Sequence, residues 1–167
     1  MKILMIEDNP EIVEVVSLTF MIRWPDVKLI STNLGEKGIE MVESEHPDVI
    51  ILDLGLPDIS GFDVLKQIRM FSEIPILILT ARGDESDIVK GLEWGADEYI
   101  VKPFQQLEFM SRVKALTRRA FSTKSDAPLI YGRFRLDGST GQLTGGEKEI
   151  SLTPTESSIL QHMMENI

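Results

Sequence analysis

Polar and charged side chains follow apolar runs at four places between residues 1 and 103. Glu7 and Asp8 come after KILMI, Asp53 after DVIIL, Thr80 after PILIL, and Lys102 after EYIV. Such runs are typical of buried parallel strands, whose carboxyl ends meet at one edge of an α/β sheet, where ligands bind. We therefore expect these side chains to converge. They predict a metal-assisted phosphate site, with Asp53 as the acceptor of the phosphoryl group.

The three carboxylates predict a binding site for a hard divalent cation. Acidic groups held together repel one another, and burying them without a counter-charge is costly, so a cation would resolve the conflict. Ligand sets made only of oxygen favour Mg2+, or Mn2+, over Zn2+. An alternative is that Glu7 and Asp8 merely end a strand and cap the next helix. The matching positions of Asp53, Thr80 and Lys102 favour the metal site.

Asp53 carries a side chain that can attack phosphorus and form an acyl phosphate. In that chemistry Lys102 would hold an oxygen of the transferred group, and Thr80 would donate a hydrogen bond to the same group. Taken alone, Thr80 also fits a turn at the end of a strand, and Lys102 also fits an ordinary surface lysine. Pro103, which fixes the direction of the chain after Lys102, argues against the surface lysine.

These residues need a scaffold of strands and helices, and the apolar pattern predicts one. Five short apolar runs alternate with amphipathic stretches of helical period. This alternation predicts an α/β fold with a parallel sheet and right-handed crossovers. The predicted strands are Lys2–Ile6, Val27–Ser31, Asp48–Leu52, Ile76–Leu79 and Glu98–Val101, and the predicted helices lie near Glu11–Arg23, Gly35–Glu45, Gly61–Phe71, Asp84–Trp94 and Gln106–Phe121.

A second, smaller unit is predicted after residues 122–128, a polar stretch that ends in proline and is typical of a linker. Short apolar pieces separated by glycines then predict a small antiparallel sheet. A helix is predicted to follow, with Thr153 and Glu156 forming a capping box and Pro154 at its first position. About forty residues are too few for an independent core. We therefore expect this unit to be an incomplete domain.

The composition is that of an ordinary globular chain. Hydrophobic residues make up 43% of the 167 residues, and the formal net charge of −10 does not favour nucleic acid as a partner. The absence of cysteine excludes disulfides and thiolate metal sites. No apolar run reaches the roughly 20 residues of a membrane span, and the start, MKILMIEDNP, does not resemble a signal peptide. We therefore expect a soluble, cytoplasmic protein with no membrane partner.

The segments IEDNP, LDLGLPDISG, LTAR, GADEYIVKPF and RVKALTRR are similar to those of a known family. Through them, residues 1–121 resemble the receiver domain of two-component response regulators. The resemblance implies a flavodoxin-like order of five parallel strands, Mg2+ as cofactor, and a sensor histidine kinase as partner. It also implies site roles: Glu7, Asp8, Asp53 and the backbone carbonyl of Gly55 as metal ligands, Asp53 as phosphoacceptor, Thr80 and Lys102 as contacts of the phosphoryl oxygens, and Tyr99 as an aromatic switch.

Three details refine this expectation. Larger residues are usual in the family at the position of Gly55, so the phosphoryl group is expected to be more open to water here. The bond between Lys102 and Pro103 is commonly cis in the family. Neither His46 nor His162 is expected near the site, so the phosphodonor histidine should belong to another protein.

The segments GLEWGADEYIVKPF and LEFMSRVKALTRR resemble more closely the OmpR/PhoB type of response regulator. Regulators of that type dimerise on phosphorylation through the fourth helix, fifth strand and fifth helix. Ile88 stands where an arginine usually pairs with the acid at Glu108, so one pair should be absent; exposed pairs contribute only about 0–1 kcal/mol. The alternative for these charges is a solvated helical face. The expected interface consists of an apolar patch of Val89 and Leu92, the pair Glu93–Lys114, and Arg112 with Asp97 or Glu98.

The segment YGRFRLDGSTGQLTGGEKEISLTPTESSIL resembles the opening sheet and first helix of that type's winged-helix DNA-binding domain. The recognition helix and wing would come next, so no DNA-binding residues are expected in this chain, and promoter DNA is expected as a partner only of a complete protein. The expected organisation is a receiver domain at 1–121, a linker at 122–128 and a truncated winged-helix domain at 129–167. A naturally shortened regulator is the alternative to a truncated one.

Two other functions fit part of the pattern. Phosphatases and phosphotransferases of the haloacid dehalogenase type also use an aspartate nucleophile and Mg2+. Their nucleophile lies on the first strand with a second acid two residues later, whereas Asp53 is expected on the third strand and is followed at that spacing by Gly55. A stand-alone receiver that acts through protein–protein interaction is the other alternative. A phosphorylation-switched regulator, which is not an enzyme, fits most of the sequence.

Overall fold

The computed structural model describes residues 1–124, 128–137, 140–146 and 148–165. The chain forms two compact units, Met1–Thr117 and Arg118–Ile167. All the residues predicted to form the phosphate site belong to the first unit. Within the described part of the chain, no helix combines the length and the apolar character needed to cross a membrane.

The first unit is built on a five-stranded sheet in the order β2-β1-β3-β4-β5, in which every neighbouring pair of strands is parallel. The order reverses at β1, which has β2 on one side and β3 on the other. Ligands bind at such a reversal, beyond the carboxyl ends of the strands. The predicted flavodoxin-like fold is confirmed. Its strands are β1 (Lys2–Ile6), β2 (Lys28–Thr32), β3 (Val49–Leu52), β4 (Ile76–Thr80) and β5 (Glu98–Val101).

Five helices belong to this fold, and local capping explains where two of them begin. Asn9 accepts a hydrogen bond from the N–H of Glu11, and Ser60 accepts one from the N–H of Phe62, so the helices start directly after these caps. The last helix continues three residues past the predicted end at Phe121, since no glycine or proline interrupts residues 122–124. The helices are α1 (Pro10–Arg23), α2 (Gly35–Glu45), α3 (Gly61–Arg69), α4 (Glu85–Glu93) and α5 (Gln106–Lys124).

Two apolar cores cover the two faces of this sheet. Because successive strand residues point to opposite faces, Ile3 and Met5 of β1 face one core, and Leu4 and Ile6 face the other. Buried side chains of α1 and α5 fill the first core, and those of α2 and α3 fill the second. Strands β3 and β4 are buried along their whole length, as expected of central strands covered on both faces.

Helix α4 contributes less to the core than the other four helices. Gly91 is its buried residue, and a Cβ at that position would lie 2.9 Å from Cδ1 of Ile78 and 3.1 Å from ring atoms of Tyr99. The helix backbone therefore packs directly on β4 and β5. Asp84, at the N-cap position, makes no capping hydrogen bond with its side chain. Few side chains hold α4 in place.

The second unit contains a four-stranded antiparallel sheet in the order β6-β7-β8-β9, as predicted. Leu129, Leu136, Leu143 and Ile150 are cross-strand neighbours and form an apolar row across the sheet. Leu136 is fully buried, whereas Ile150 is exposed. The strands are β6 (Leu129–Tyr131), β7 (Phe134–Asp137), β8 (Gln142–Gly145) and β9 (Lys148–Ser151).

Helix α6 (Pro154–Glu165) follows this sheet and begins with the predicted capping box. The N–H of Thr153 donates to the carboxylate of Glu156 at 2.9 Å, and the N–H of Glu156 donates to Oγ1 of Thr153 at 3.4 Å. The small sheet and the single helix thus agree with the sequence prediction.

Candidate functional site

Three acidic side chains converge at the carboxyl ends of β1 and β3. Glu7 and Asp8 directly follow β1, and Asp53 directly follows β3. Ile6 and Leu52 are partners at the ends of these strands, and the N–H of Asp53 donates to the carbonyl of Ile6 at 2.9 Å. One carboxylate oxygen from each acid lies within 4.8 Å of those of the other two. Glu7 and Asp53 are buried, and Asp8 is exposed.

Lys102 joins two of these acids. Its Nζ lies 2.6 Å from Oε2 of Glu7 and 2.9 Å from Oδ2 of Asp53. The residue directly follows β5, and its N–H donates to the carbonyl of Thr80 at the end of β4 at 2.7 Å. The Lys102–Pro103 bond is cis. One ammonium group thus contacts two of the three carboxylates, and it offsets only part of the charge of the cluster.

The two carboxyl groups that Lys102 bridges differ in acidity. Burial has the largest effect on Glu7 and raises its pKa, with a further rise from the charge of Asp53, although the hydrogen bond and charge of Lys102 act in the opposite direction. Burial also acts to raise the pKa of Asp53, but the hydrogen bond and charge of Lys102 oppose it. Hydrogen bonds from the N–H of Gly55 and the hydroxyl of Thr80 add to that opposition, and the pKa of Asp53 stays below its ordinary value. Asp53 is therefore ionised near neutral pH, as a nucleophilic carboxylate must be.

Thr80 is buried at the end of β4 with its hydroxyl beside Asp53. The residue is 1% exposed, and its hydroxyl acts to lower the pKa of the Asp53 carboxyl. Its Oγ1 also accepts a long hydrogen bond of 3.4 Å from the N–H of Arg82 in the loop that follows. A change at the carboxylate can therefore be transmitted through Thr80 to the loop between β4 and α4.

Gly55 lies beside the Asp53 carboxylate and places no side chain over it. Its N–H donates to Oδ1 of Asp53 at 3.2 Å. A Cβ at Gly55 would lie 3.9 Å from Oδ1 and 4.0 Å from Oδ2, which is ordinary contact, so a Cβ would fit there beside the carboxylate. A greater openness of the phosphoryl group to water stays a prediction. The role of the Gly55 carbonyl as a metal ligand stays a prediction.

The loop after Asp53 ends in a glycine that the packing requires. The N–H of Gly61, the first residue of α3, donates to the carbonyl of Leu54 at 3.2 Å. A Cβ at Gly61 would overlap the carbonyl oxygen of Asp53 and would lie 2.5 Å from Cα of Leu54. Only glycine lets the helix approach the strand end this closely. The start of α3 therefore fixes the backbone of the phosphoacceptor candidate.

Tyr99 connects β5 with the loop that follows Thr80. Its hydroxyl donates to the carbonyl of Arg82 at 2.9 Å, and its ring packs against Gly91 of α4. Burial, followed by the negative charge of Asp87, raises the pKa of Tyr99 to about 12, so the hydroxyl keeps its proton and remains a donor. The side chain thus contacts both the loop and the helix that a switch residue would have to move.

The residues of the expected dimer face lie on α4, β5 and α5. Val89 and Leu92 are 47% and 44% exposed, so both are accessible to a partner. Arg112 is already paired within the chain, at 2.8 Å from Glu98 and 2.9 Å from Glu108. Glu108, which lacks its usual partner because residue 88 is isoleucine, has Arg112 instead.

The other charged residues of that face have different surroundings. Asp97 binds Arg69 at 3.1 Å and accepts the N–H of Ile76 at 2.9 Å, so it serves as a structural acceptor within the chain. Nζ of Lys114 lies 5.6 Å from the ring centre of Trp24. Glu93, at the end of α4, is exposed. Their participation in a dimer stays a prediction.

Arg69 is a structural residue that the sequence did not single out. Its Nε donates to the carbonyl of Gly95 at 2.8 Å, and its Nη1 donates to the carbonyls of Ser72 at 3.1 Å and Ile74 at 2.8 Å. With its ion pair to Asp97, it ties the end of α3 to the loops before β4 and β5. A basic residue in the last turn of a helix is common, so its type and position gave no signal.

Trp94 lies between two lysines, which the sequence also did not show. Nζ of Lys66 lies 3.5 Å and Nζ of Lys90 lies 4.4 Å from the centre of its ring. Lys90 also lies 4.2 Å from the ring centre of Phe62, which meets Trp94 edge to face at 5.4 Å. We call these four residues the lysine–aromatic stack. It joins α3 to α4 and contributes about 0.5–2 kcal/mol per cation–π contact.

Known proteins are similar to this chain over most of its length. Residues 3–114 match the family described as response regulator receiver domain. The transcriptional regulatory protein AfsQ1 of Streptomyces coelicolor is 37% identical over 159 residues, which cover 95% of this chain and 69% of that protein. The transcriptional regulatory protein KdpE of Mycobacterium tuberculosis is 37% identical over 166 residues, which cover 98% of this chain and 73% of that protein. The crystal structure of DrrB, a Thermotoga maritima OmpR/PhoB homolog, is similar with a TM-score of 0.62 and 29% identity, over 99% of this chain and 72% of that one.

Proposed function

The chain belongs to the response regulator receiver family, and on that premise we propose that Asp53 accepts a phosphoryl group from the phosphohistidine of a sensor histidine kinase. One observation supports this above all: the Asp53 carboxylate is held by Lys102, flanked by two further acids, and not covered by a side chain at Gly55. The relatives are named as transcriptional regulators, so the proposed output is control of transcription.

The acidic cluster fits Mg2+. It offers carboxylate oxygens only, within 4.8 Å of one another, and oxygen is the donor that Mg2+ prefers. We assign the ion to Glu7, Asp8 and Asp53, with the backbone carbonyl of Gly55 as a further ligand. When bound, Mg2+ neutralises negative charge on the phosphoryl oxygens.

In the proposed transfer, a carboxylate oxygen of Asp53 attacks phosphorus. The new P–O bond forms as the P–N bond to the kinase histidine breaks, and the imidazole leaves with the electron pair and takes up a proton. Lys102 is placed to offset charge on the transferred oxygens, and the Thr80 hydroxyl is placed to donate a hydrogen bond to one of them. Lys102 already contacts Asp53 before transfer, whereas the Thr80 hydroxyl would turn toward the phosphoryl group.

The proposed response passes from Thr80 and Tyr99 to α4. If the Thr80 hydroxyl turns toward the phosphoryl group, the loop that carries Arg82 loses a contact, and Tyr99, which binds that loop, is free to move. A full reversal from 1:99 to 99:1 between two conformations needs about 5.5 kcal/mol of differential stabilisation. We propose that the new conformation favours a homodimer through α4, β5 and α5, with Val89 and Leu92 as its apolar contacts and Glu93, Asp97, Glu98, Arg112 and Lys114 around them.

For the second unit we propose a role in DNA-binding output. We assign residues 1–121 to the receiver domain, 122–128 to the linker, whose first three residues continue helix α5, and 129–167 to the first part of a winged-helix domain. A four-stranded antiparallel sheet followed by one capped helix supports this assignment. No DNA-contacting residue is assigned in this chain. Binding to promoter DNA is proposed for a protein that also contains the recognition helix and the wing.

Asp53→Asn tests the proposal. Wild-type protein with acetyl phosphate and Mg2+ should gain the mass of one phosphoryl group, and beryllofluoride should shift it toward a dimer in light scattering. The variant should fold normally and show neither response, because an amide is a poor nucleophile. Labelling of the variant to the same extent as wild type would refute the assignment of Asp53.

The same samples distinguish a regulator from a phosphatase. A regulator carries one phosphoryl group per chain and loses it slowly. Continuous turnover of p-nitrophenyl phosphate by wild-type protein, abolished in Asp53→Asn, would instead support an aspartate-nucleophile phosphatase.

A further inference from the structure

We propose that Asp58 is a positioning residue for the phosphoacceptor site: by capping helix α2 it fixes the loop after Asp53 and so keeps Gly55 against the Asp53 carboxylate. The inference deepens the proposed function and rests on it. Asp58 itself contacts neither the phosphoryl group nor the metal ion in this scheme.

The first observation is the double contact between Asp58 and α2. Oδ1 of Asp58 accepts the N–H of Gly35 at 2.8 Å, and Oδ2 accepts the N–H of Glu36 at 2.9 Å. Both N–H groups belong to the first turn of α2, where they have no partner within the helix. Leu34, at the N-cap position, has no side chain able to supply one, and it makes no capping hydrogen bond. A residue more than twenty positions away in sequence therefore caps this helix.

Electrostatics favour the ionised form of Asp58 in this contact. A carboxylate at a helix N-terminus is stabilised by the helix dipole and by charge-assisted hydrogen bonds. Burial acts to raise the pKa of Asp58, but the N–H groups of Glu36 and Gly35 outweigh it and lower that pKa below the ordinary value. The contact is therefore formed throughout the neutral pH range.

The second observation is how tightly α2 packs on the same loop. A Cβ at Gly35 would lie 2.7 Å from Cγ1 of Ile59, 2.7 Å from Cγ2 of Val64 and 3.2 Å from Cδ1 of Leu56. Residues on either side of Asp58 are thus pressed against the start of α2. The cap and this contact fix the loop to the helix at one place.

The third observation concerns the rest of the loop, which is held by the packing of Leu56 and Ile59 against the core but has few polar contacts near Gly55. Gly61 is anchored to Leu54 at the ends of the loop, and Ser60 caps α3. Between these ends Gly55 contributes no side chain and Pro57 contributes no N–H. Release of Asp58 would therefore loosen the stretch that contains Gly55, although Leu56 and Ile59 still pack on the core, and the 3.2 Å hydrogen bond from Gly55 to Asp53 would be formed for less of the time.

The experiment compares Asp58→Ala and Asp58→Asn with wild type in two measurements. Amide exchange by NMR reports on Gly35 and Glu36 as the cap and on Gly55 as the site. Titration with Mg2+ alone reports on the site itself. Asp63→Ala is the matched control, because Asp63 is an exposed acid in the first turn of the neighbouring α3 and removal of its charge leaves the cap intact.

In Asp58→Ala we expect faster exchange at all three amides and a loss of Mg2+ affinity of about tenfold, the lower end of the effect seen when groups that orient metal ligands are removed. Asp58→Asn keeps one acceptor oxygen and should lie between Asp58→Ala and wild type. Asp63→Ala should bind Mg2+ like wild type. If Asp58→Ala does not fold, Asp58→Asn is compared with wild type and Asp63→Ala in the same two measurements.

Two results are decisive against the inference. If exchange rises at Gly35 and Glu36 but not at Gly55, and Mg2+ affinity is unchanged, Asp58 is a helix cap and nothing more. If Asp63→Ala loses as much affinity as Asp58→Ala, local charge and not position explains the effect. Failure of wild-type protein to bind Mg2+ would count against the proposed function instead, and exchange at Gly55 would still decide the role of Asp58.

Discussion

Replacing Lys102 with methionine removes the ammonium group that bridges Glu7 and Asp53 but keeps a side chain of similar length. In wild type, Nζ of Lys102 is 2.6 Å from one carboxylate and 2.9 Å from the other, and the side chain is 13% exposed. The variant leaves two buried carboxylates facing each other without a counter-charge. We expect it to be less stable than wild type in EDTA and to recover much of that stability when Mg2+ is added.

The size of the effect follows from the distance between the acids. Their oxygens lie within 4.8 Å, and two unit charges at that separation repel by about 3.5 kcal/mol at an effective dielectric constant of roughly 20. Removal of one partner of a buried ion pair costs about 3–5 kcal/mol in other proteins, which is the same range. For a chain of this size the melting temperature should fall by roughly 10 °C.

The loss should depend on pH with a definite sign. Burial already raises the pKa of Glu7, and removal of the ammonium group raises it further. A carboxyl group whose pKa is higher in the folded state than in the unfolded state stabilises the fold at low pH, and this stabilisation is lost as the pH rises through the raised value. The difference between variant and wild type should therefore be small in acid, where Glu7 is protonated, and largest in mildly alkaline buffer.

The assay is urea unfolding of both proteins in EDTA and in Mg2+, at acidic and mildly alkaline pH. Lys37→Met is a suitable control, because Lys37 pairs only at the surface with Glu40 at 2.8 Å, and such pairs contribute about 0–1 kcal/mol. Equal stability of Lys102→Met and wild type in EDTA at every pH would refute the view that Lys102 relieves repulsion in the site. A loss that Mg2+ does not reverse would show that the acids do not share a cation.

Three further predictions concern the surroundings of the site. Gly55→Ala should slow spontaneous loss of the phosphoryl group, measured by intact mass over time, because its Cβ would lie 3.9 Å from the acceptor carboxylate and would exclude water; an unchanged or faster loss would contradict this. Arg69→Met should destabilise the fold by about 1–3 kcal/mol in urea unfolding, because it leaves partly buried carbonyl groups without their donor; a change within experimental error would contradict it. Trp94→Leu should speed amide exchange in α4 several-fold, since it removes cation–π contacts of about 0.5–2 kcal/mol with Lys66 and Lys90; faster exchange in α2 instead would point to general destabilisation.

Much of the scaffold could be predicted because its signals are local. An apolar run identifies each strand, and a cap such as Asn9 or Ser60 marks the start of a helix. Once the strands are parallel, their exits must lie at one edge, so the proximity of Glu7, Asp8 and Asp53 follows from topology without knowledge of any distance. The predicted end of α5 was three residues early, because a polar composition was taken for a linker although nothing in it breaks a helix.

The contacts that escaped prediction are those between residues distant in sequence. Asp58 binds Gly35 of α2, which lies 23 positions away in sequence, and Arg69 binds Asp97, which lies 28 positions away. No periodicity in the sequence encodes such pairs. One signal was available for Asp58: helix α2 begins after Leu34, which cannot cap it, so an external acceptor was needed. For Arg69 there was no comparable sign, since three of its four acceptors are backbone carbonyls, which every residue provides.

The contact between Gly91 and the sheet has a mechanical consequence. At Gly91, helix α4 has no side chain inserted between its backbone and the sheet. The helix can therefore slide or tilt without first moving a packed side chain out of the core. Contacts at the edge of the helix, chiefly the lysine–aromatic stack at its C-terminal end, then hold the helix in place. A larger residue at position 91 would place a side chain between α4 and the sheet, and the helix would then move less easily.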